Sequence, residues 1–452
     1  MRLTGFRLLV ASSLMLAVLS GAETRPHYGG TLRMAVRAAP ASLDPAQPDW
    51  IASRNLFPLI FDTLITFDLR GRLQPALATS WEAEAGNQHW QIALRQGVIF
   101  PDGTPVTSDA VAASLRAANP SWKVVPGNNA VTIERDSAAP ELPAELALPR
   151  NSIVKRAAGK ILGTGPFTVS QWDPGRKLAL TAREDYWGGR PFLDAIEIDL
   201  GRSLRDQLIA FDLGKAHIIE VAPEMAHSAA AQGRRIESSY PVELIALVFT
   251  HDPQSPDDAR QRDALSMSID RKLLNTVLVQ EAGETAGGLL PNWMTGYGAV
   301  FPAEMNLTRA QQERAEVARA SLWNLGFDAN DPLERMIAER IVLNAREAGL
   351  RLQVANGGAA DLRLVRSFLA APESHVALHE LSSALGAPPP KFSSNSIDDL
   401  YAAENSLLQS KRAIPLLHLR SATAVSEQVR GWSEGPDGGW RMAGVWLSAE
   451  KP

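Results

Sequence analysis

The chain has 452 residues, enough for two or three compact domains of roughly 100–200 residues each. Hydrophobic residues make up 45% and charged residues 21%, which excludes a disordered chain and a membrane-embedded bundle. The net charge of −5 leaves no basic excess for nucleic acid, and the absence of cysteine excludes disulfides, thiolate metal sites, iron–sulfur clusters and a lipoprotein anchor.

The N-terminal segment has the three parts of a secretory signal peptide. Arg2 and Arg7 give a positive start, Leu8–Leu19 is apolar, and Ser20–Ala22 supplies small residues for cleavage. The apolar part has about 12 residues, against about 20 for a bilayer span, so we predict a cleaved signal peptide over residues 1–22 and not a membrane anchor.

The next part of the chain predicts short strands and one helix. Thr31–Val36 is a short apolar run typical of a buried strand, and Gln88–Leu94 alternates polar and apolar residues as a half-buried strand does. Thr107–Asp109 can cap a following helix. Residues 119–160 are rich in Pro, Ala and Gly, so we interpret them as a surface connection with one strand, Ala130–Glu134.

Beyond residue 160, strands alternate with helices, which indicates an α/β lobe. The predicted strands are Pro166–Trp172, Lys177–Arg183, Leu193–Leu200, His217–Val221, Glu243–Thr250, Leu350–Val354, Leu362–Val365, Ile414–Leu419 and Ala443–Leu447. The predicted helices are Leu204–Leu213, Asp257–Leu278, Thr308–Leu325, Pro332–Ala348, Glu373–Leu385 and Ile397–Gln409. Glu243–Thr250 is the longest apolar strand pattern and predicts burial of both strand faces.

One histidine pair resembles part of a metal site. His375 and His379 are four residues apart and share one helix face, with Glu380 beside them. Zinc needs three or four ligands in register, and this order is neither His-Glu-x-x-His nor its inverse, so we expect an ordinary helix face and no metal. A metal-dependent hydrolase built on these residues stays an alternative, although no Gly-x-Ser-x-Gly elbow or other motif supports an enzyme.

The chain has eleven Trp and only five Tyr, a large supply of flat amphipathic rings. We expect most of them to pack in the core. Trp293 and Tyr297 are different, because they lie in a turn-rich loop, Pro291–Gly298, where rigid aromatic rings are suited to ligand binding.

Several motifs occur in a fixed order along the chain. Leu73–Val111 contains Leu-x-Pro-x-Leu-Ala-x-Ser-Trp and Leu-Arg-x-Gly-Val-x-Phe-x-Asp-Gly-Thr-Pro, followed by a capped helix. The others are Ala41–Pro45 (ASLDP), Gly163–Phe167 (GTGPF), Tyr186–Pro191 (YWGGRP), Arg262–Arg271 (RDALSMSIDR) and Leu290-Pro291. Over most of the mature chain the sequence thus resembles the family 5 extracellular solute-binding proteins, the dipeptide-, oligopeptide- and nickel-binding receptors of ABC importers.

The resemblance implies an α/β fold of the type II periplasmic binding protein class, with two hinged lobes and an α+β subdomain inserted in lobe one. On this basis we assign residues 25–50, 161–249 and 412–452 to lobe one, 51–160 to the inserted subdomain, and 250–411 to lobe two. The two chain crossings would then lie near 249–251 and 411–415, with the ligand between the lobes.

Two departures from the family pattern bear on the ligand. Leu322–Leu352 runs from Leu-Gly-Phe directly into a helix, where family members usually place a strand. The region matching the peptide receptors' aspartate-rich cleft loop, Leu364–His375, has no aspartate to pair a peptide's α-ammonium group, and an unpaired buried ammonium costs several kcal/mol. Arg366 in this region instead suggests a carboxylate or other anionic ligand group.

We therefore expect a monomeric periplasmic binding protein that delivers a peptide-like or other small polar solute to the permease of an ABC importer in the inner membrane. It would need no catalysis, cofactor or metal and would not bind nucleic acid. A periplasmic scaffold or chaperone-like protein with a degenerate cleft is the alternative. We expect ligand contacts, through stacking, charge or hydrogen bonds, from Asp44, Phe249, His251, Trp293, Tyr297, Arg366 and Ser367.

Overall fold

The structure, a computed structural model, describes residues 25–47, 50–157, 159–318, 320–355 and 359–448. The predicted signal peptide, residues 1–22, lies outside these ranges. Across the described helices, none combines the length and the apolar composition needed to cross a lipid bilayer.

Strands and helices alternate along most of the chain. The strands are β1 (Thr31–Ala35), β2 (Ile65–Phe67), β3 (Leu73–Pro75), β4 (Ala78–Ala83), β5 (His89–Leu94), β6 (Lys123–Pro126), β7 (Ala130–Glu134), β8 (Val154–Ala157), β9 (Lys160–Gly163), β10 (Phe167–Asp173), β11 (Lys177–Ala182), β12 (Ala195–Asp199), β13 (Ile218–Val221), β14 (Ile236–Phe249), β15 (Gly283–Thr285), β16 (Leu322–Gly326), β17 (Arg351–Val354), β18 (Leu362–Phe368), β19 (Ala413–Val425), β20 (Val429–Arg430), β21 (Ser433–Glu434), β22 (Trp440–Arg441) and β23 (Trp446–Leu447). The helices are α1 (Trp50–Ile60), α2 (Ser108–Ala118), α3 (Leu142–Glu145), α4 (Leu204–Asp212), α5 (Ala226–Ala231), α6 (Pro256–Ser268), α7 (Arg271–Leu273, continued by a π-helical turn, Leu274–Leu278), α8 (Asn292–Thr295), α9 (Leu307–Ala315), α10 (Pro332–Glu347), α11 (Ser374–Ala384) and α12 (Ile397–Gln409), with 3-10 turns at Pro149–Asn151 and Pro223–Met225.

One long sheet runs through both halves of the molecule. Eleven of the described strands form it, in the order β10-β11-β12-β1-β13-β19-β14-β18-β16-β17, with β15 paired to β19. β1 is parallel to both of its neighbours, β12 and β13, and β16 is parallel to β17 and β18. The strands of each half thus include parallel pairs, which need helical crossover connections and produce the predicted α/β character.

β14 and β19 are the strands that cross between the halves. Ile236–Ser238 of β14 pairs with the end of β19, Glu243–Val248 pairs with its first half, and the register is irregular between them, at Ser238, Pro241 and Glu243. Ile218 and Val425 belong to a core on one side, whereas Ile245 belongs to a core on the other. Each half therefore has its own core, and we refer to the halves as lobe one and lobe two.

The expected crossings near 249–251 and 411–415 coincide with the outer ends of these two strands. Phe249 and Ile414 pack inside the core of lobe two, which means that the chain has already entered that lobe before it reaches residue 249. We therefore propose that the hinge lies at 239–242 and 420–421, where the pairing is irregular. The sequence does not reveal the hinge, because the long apolar strand pattern begins only after residues 239–242.

Lobe one is built on the strands β10, β11, β12, β1 and β13. Leu32, Leu180 and Ile196 lie in its core together with Phe57 and Ile60 of α1. The expected boundary assigned residues from 51 onward to the inserted subdomain, but α1 packs in the core of lobe one. We therefore propose that the inserted subdomain begins after this helix.

The inserted subdomain is a four-stranded sheet, β4-β5-β7-β6, covered by α2. The predicted cap is confirmed, because the Thr107 side chain accepts a hydrogen bond from the Ala110 backbone N–H and α2 begins at Ser108. The interpretation of 119–160 as a surface connection is wrong in part. Leu142, Leu146 and Ile153 are fully buried in the subdomain core, so this stretch supplies packing as well as connection.

Lobe two has one core on each face of β14. Leu244 and Ala246 pack on one face, and Ile245 and Leu247 pack on the other, which confirms that both strand faces are buried. The predicted helix over Thr308–Leu325 is wrong at its end, because α9 stops at Ala315 and Leu322–Gly326 forms β16. Buried Trp323 and Leu325 alternate with less buried neighbours, which is a strand pattern, so the strand typical of the family is present here.

The Gly163–Phe167 motif is a place where the backbone of lobe one passes close to α1. A Cβ on Gly163 would lie 2.1 Å from the Ile60 carbonyl oxygen, and one on Gly165 would lie 2.5 Å from the Ile60 carbonyl carbon. Gly163→Ala should therefore lower the free energy of unfolding by about 3 kcal/mol through overpacking. Urea denaturation measures this, with Gly127→Ala as the control, since its Cβ would meet nothing closer than 3.5 Å. Equal stabilities of the two variants would contradict this account.

Candidate functional site

A narrow cleft lies between the lobes beside the hinge strands. Its remaining cavity has a volume of about 40 Å³, which is close to the room needed by one water molecule. The charged and aromatic residues that line it come from both lobes and from the hinge: Arg37, Arg54, Glu220, Glu243, Arg366, Phe368, Arg420, Glu434 and Trp440. The lobes are thus closed over a strongly polar interior.

Arg366, an expected ligand contact, does line this cleft but is fully engaged by carboxylates. Its guanidinium donates to both oxygens of Glu243, at 2.8 and 2.9 Å, and to Asp331 at 2.6 Å. Burial lowers the pKa of Arg366, but the two carboxylates outweigh burial and hold it above its ordinary value. Asp331 also accepts from the first backbone N–H groups of α10, so this cluster joins the hinge strand to lobe two.

Arg54 and Glu434 are the two charged groups of the cleft that lack an ion-pair partner among the described residues. Arg54 donates to the Asp437 carbonyl oxygen at 3.2 Å, and its guanidinium lies 4.2 Å from the centre of the Phe368 ring. Glu434 accepts from the hydroxyls of Thr423 at 2.5 Å and Ser421 at 3.1 Å. Burial raises the pKa of Glu434 to about 7, although these hydrogen bonds oppose the rise.

A second set of contacts closes the lobes at the rim of the cleft. Ala144 and Leu148 of the inserted subdomain pack against Ala371 and Val376 of lobe two. Arg150 of the subdomain forms an ion pair with Glu380 of α11 at 2.7 Å. These contacts join the inserted subdomain directly to lobe two.

The His375, His379 and Glu380 pattern falls on α11, as predicted. The His375 ring contacts Glu373 at 2.9 Å, His379 contacts Glu380 at 3.2 Å, and Glu380 is bound by Arg150. Within the described part of the chain, no three His, Cys, Asp or Glu side chains are grouped so that they could hold a metal ion. Glu380 therefore joins lobe two to the subdomain, whereas His375 and His379 contact residues of lobe two.

Three further expected contacts lie away from the cleft cavity. Asp44 forms an ion pair with Arg156 at 2.6 Å. Phe249 is 1% exposed and packs edge-on against Trp323. His251 is exposed, with its ring 2.9 Å from the Asp252 carbonyl oxygen.

The remaining expected contacts lie in lobe two. Trp293 donates to the Pro241 carbonyl oxygen at 2.8 Å and packs on Tyr240, so it touches the hinge. The Tyr297 hydroxyl binds Glu404 in a separate cavity. Ser367 follows Arg366 on β18, and strand alternation directs it to the other face of the sheet. Of the expected residues, Arg366 alone lines the cleft cavity; a ligand role for the others stays a prediction.

Sequence reasoning missed Arg54, Arg420 and Glu434. None of them lies in a motif, and nothing local distinguishes them from solvated surface charges. The one available signal is the short polar pattern around Ser421 and Thr423, which interrupts an apolar strand where the hinge crosses.

Comparisons with known proteins agree with this architecture. The family model described as "Bacterial extracellular solute-binding proteins, family 5 Middle" matches residues 72–392. A solved structure of NikA from Staphylococcus aureus in complex with Ni(L-His)2 has a TM-score of 0.79 at 17% identity, covering 92% of this chain and 100% of that one. The α/β two-lobe fold of the type II periplasmic binding protein class is thus confirmed.

Two curated relatives match shorter regions. The uncharacterized protein YhjP of Bacillus subtilis is 37% identical over 173 residues, 35% of this chain and 30% of its own length. The probable D,D-dipeptide-binding periplasmic protein DdpA of Escherichia coli is 23% identical over 335 residues, 65% of this chain and 64% of its own length. The chain therefore spans 30% of the length of one of these relatives and 64% of the other.

The raised pKa of Glu434 predicts a pH dependence of stability. The folded protein keeps this carboxyl protonated up to about pH 7, whereas the unfolded chain releases the proton near 4.5, so stability falls as pH rises between these values. Relative to Glu434→Gln, the wild type should lose about 3 kcal/mol of unfolding free energy across that range. Urea denaturation at pH 4.5, 6 and 8 tests this, and parallel profiles of the two proteins would refute it.

The Arg150–Glu380 ion pair predicts a change in the balance of closed and open forms. Arg150→Met should weaken the rim contact by about 1 kcal/mol, roughly fivefold in the closed-to-open ratio, and raise the radius of gyration in X-ray scattering. Arg135→Met is the matched control, because Arg135 pairs with Glu145 inside the subdomain at 2.9 Å and does not cross the cleft. If both variants scatter like the wild type, the rim contact does not hold the lobes together.

Proposed function

The chain belongs to the bacterial extracellular solute-binding proteins of family 5, and we propose that it is the binding component of an ABC importer, closing around a small polar solute. Among the described residues, lobe one connects to lobe two through β14 and β19, and a polar cleft lies between the lobes. This geometry is the observation that carries the proposal. Two rigid bodies on a paired-strand hinge can open to admit a solute and close to exclude water from it.

The chemistry of the cleft supports a polar ligand. Closure lowers the local dielectric constant, so every charge or hydrogen bond offered to the ligand acts more strongly than in water. Because Glu243 and Asp331 already neutralise Arg366 and Glu284 pairs with Arg420, binding of an anionic group falls in our proposal to Arg54. A ligand of micromolar affinity needs about −8 kcal/mol in total, which a few such contacts can supply after ordering costs.

The absence of an aspartate in Leu364–His375 argued against a ligand with a free ammonium group. The structure brings the carboxyl groups of Glu434 and Glu220 into the cleft from elsewhere in the chain, so acceptors for an ammonium group are present there although Glu220 is already paired with Arg37. Peptide-like solutes thus stay within the proposal, together with other small polar solutes.

The proposal also includes the location of the protein and its membrane partner. Members of this family are periplasmic or extracellular solute-binding proteins, and the N-terminal pattern of this chain suits a cleaved signal peptide. We propose a periplasmic monomer that passes its solute unchanged to an inner-membrane permease. Catalysis, metal and cofactor have no part in this function.

The small size of the cavity favours a second candidate. A cleft of about 40 Å³ in which Arg366 and its two carboxylates satisfy one another suits a scaffold or chaperone-like protein whose cleft has lost its ligand. Such a protein would remain closed at all times. The two candidates differ in whether any small solute stabilises the folded chain.

A thermal-shift screen of peptides, amino acids, sugars and metal chelates separates them. A ligand at 100 times its Kd should stabilise the receptor by about 3 kcal/mol and raise its Tm, whereas a scaffold should show no shift with any compound. Arg54→Met should remove the shift because it takes a cleft charge away. Arg202→Ala, an exposed arginine outside the cleft, should keep it. A shift that survives Arg54→Met would place the ligand outside the cleft.

A further inference from the structure

Lobe two contains a second cavity that shares no lining residue with the cleft. Its volume is about 380 Å³, within the range of small-molecule sites. The loop after β15, helix α12 and strand β19 form its walls. The residues that matter chemically are Tyr297, Phe301, Glu304, Glu404 and His418.

Glu404 is a fully buried carboxylate in the wall of this cavity. One oxygen accepts from the backbone N–H groups of Leu289 at 2.5 Å and Leu290 at 3.0 Å, and the other is bound by the Tyr297 hydroxyl. All of these donors are neutral, and no Lys or Arg of the described chain forms an ion pair with Glu404. Burial raises the pKa of Glu404, and no cationic side chain of the described residues contacts it to oppose the rise.

Aromatic rings form a corner beside this carboxylate. The Tyr297 and Phe301 rings are almost perpendicular, at 88°, with centres 6.2 Å apart. Tyr401 stacks on Phe301 at 13° and 5.7 Å and holds it in place. The faces of aromatic rings carry partial negative charge and attract cations within about 6 Å.

His418 adds one unused acceptor. The residue is 4% exposed, and burial lowers its pKa to about 4, so the ring is neutral near pH 7. Nε2 lies 3.0 Å from the Leu289 carbonyl oxygen, to which it must donate, and Nδ1 is therefore an acceptor. Among the described residues Nδ1 has no hydrogen-bond partner.

We propose that this cavity binds a small organic cation, an ammonium group that carries a hydroxyl or N–H donor for His418. Glu404 within the wall and Glu304 at its exposed edge are both acidic, and the cavity wall contains no Lys or Arg. A bound ammonium group would be the positively charged neighbour that Glu404 lacks, and it would lie beside the rings of Tyr297 and Phe301. The proposal does not rest on the function of the cleft.

The test compares three probes by isothermal titration calorimetry on the full chain. Choline and tetramethylammonium carry the charge, whereas 3,3-dimethylbutan-1-ol has carbon in place of the charged nitrogen. We expect both cations to bind, choline more tightly because its hydroxyl reaches His418, and the neutral alcohol to bind about tenfold more weakly than choline or worse. Equal binding of the alcohol, or no binding of either cation, overturns the proposal.

Choline binding by single-residue variants tests where the cation binds. Phe301→Leu and Glu404→Gln should each weaken choline binding about tenfold. Glu404→Gln keeps an acceptor for the backbone N–H groups of Leu289 and Leu290. If that variant fails to fold, Phe301→Leu and the neutral alcohol test whether the cavity binds the cation. Tyr28→Leu, at an exposed ring in lobe one, should leave binding unchanged. Loss of choline binding in Arg54→Met would put the cation in the cleft and overturn the second site.

Discussion

Backbone pairing between β14 and β19 is the constraint on which the two-lobe arrangement depends. Each strand packs at one end in lobe one and at the other in the core of lobe two, so the two strands join the lobes. Pro241 lies where the register is irregular, and a proline nitrogen cannot donate to the ladder. In our proposal, rotation between the lobes is therefore concentrated in these few residues.

The cleft beside this hinge shows two ways of keeping charge in a closed interior. Arg366 is neutralised by Glu243 and Asp331, which satisfies the guanidinium but leaves it less available to a solute. Glu434 accepts hydrogen bonds from two hydroxyl groups and has no ion-pair partner among the described residues. Burial therefore raises its pKa. The cleft thus holds one charge neutralised by carboxylates and one carboxyl group whose pKa is raised to about 7 by burial, so its charge depends on the solution pH.

Local features of the fold were predictable wherever short-range chemistry determines them. The Thr107 cap and the alternation in β5 follow from hydrogen bonding and periodicity within a few residues. The error at Leu322–Gly326 has a related cause, because a short apolar run fits both a helix end and a buried strand. Pairing with β17 and β18 settles this ambiguity, and those partners lie tens of residues further along the chain.

The sequence by itself determined the family, the α/β class and the ordered motifs, because these depend on residues close together along the chain. The tertiary structure alone decided which charges share the cleft. Arg54 donates to the Asp437 carbonyl oxygen although the two residues are 383 positions apart, because the C-terminal segment with Trp440 packs against α1 in the core of lobe one. Tyr297 likewise belongs to a cavity with Glu404 and His418 and not to the cleft, because the packing of its loop on α12 and β19 fixes where the ring lies.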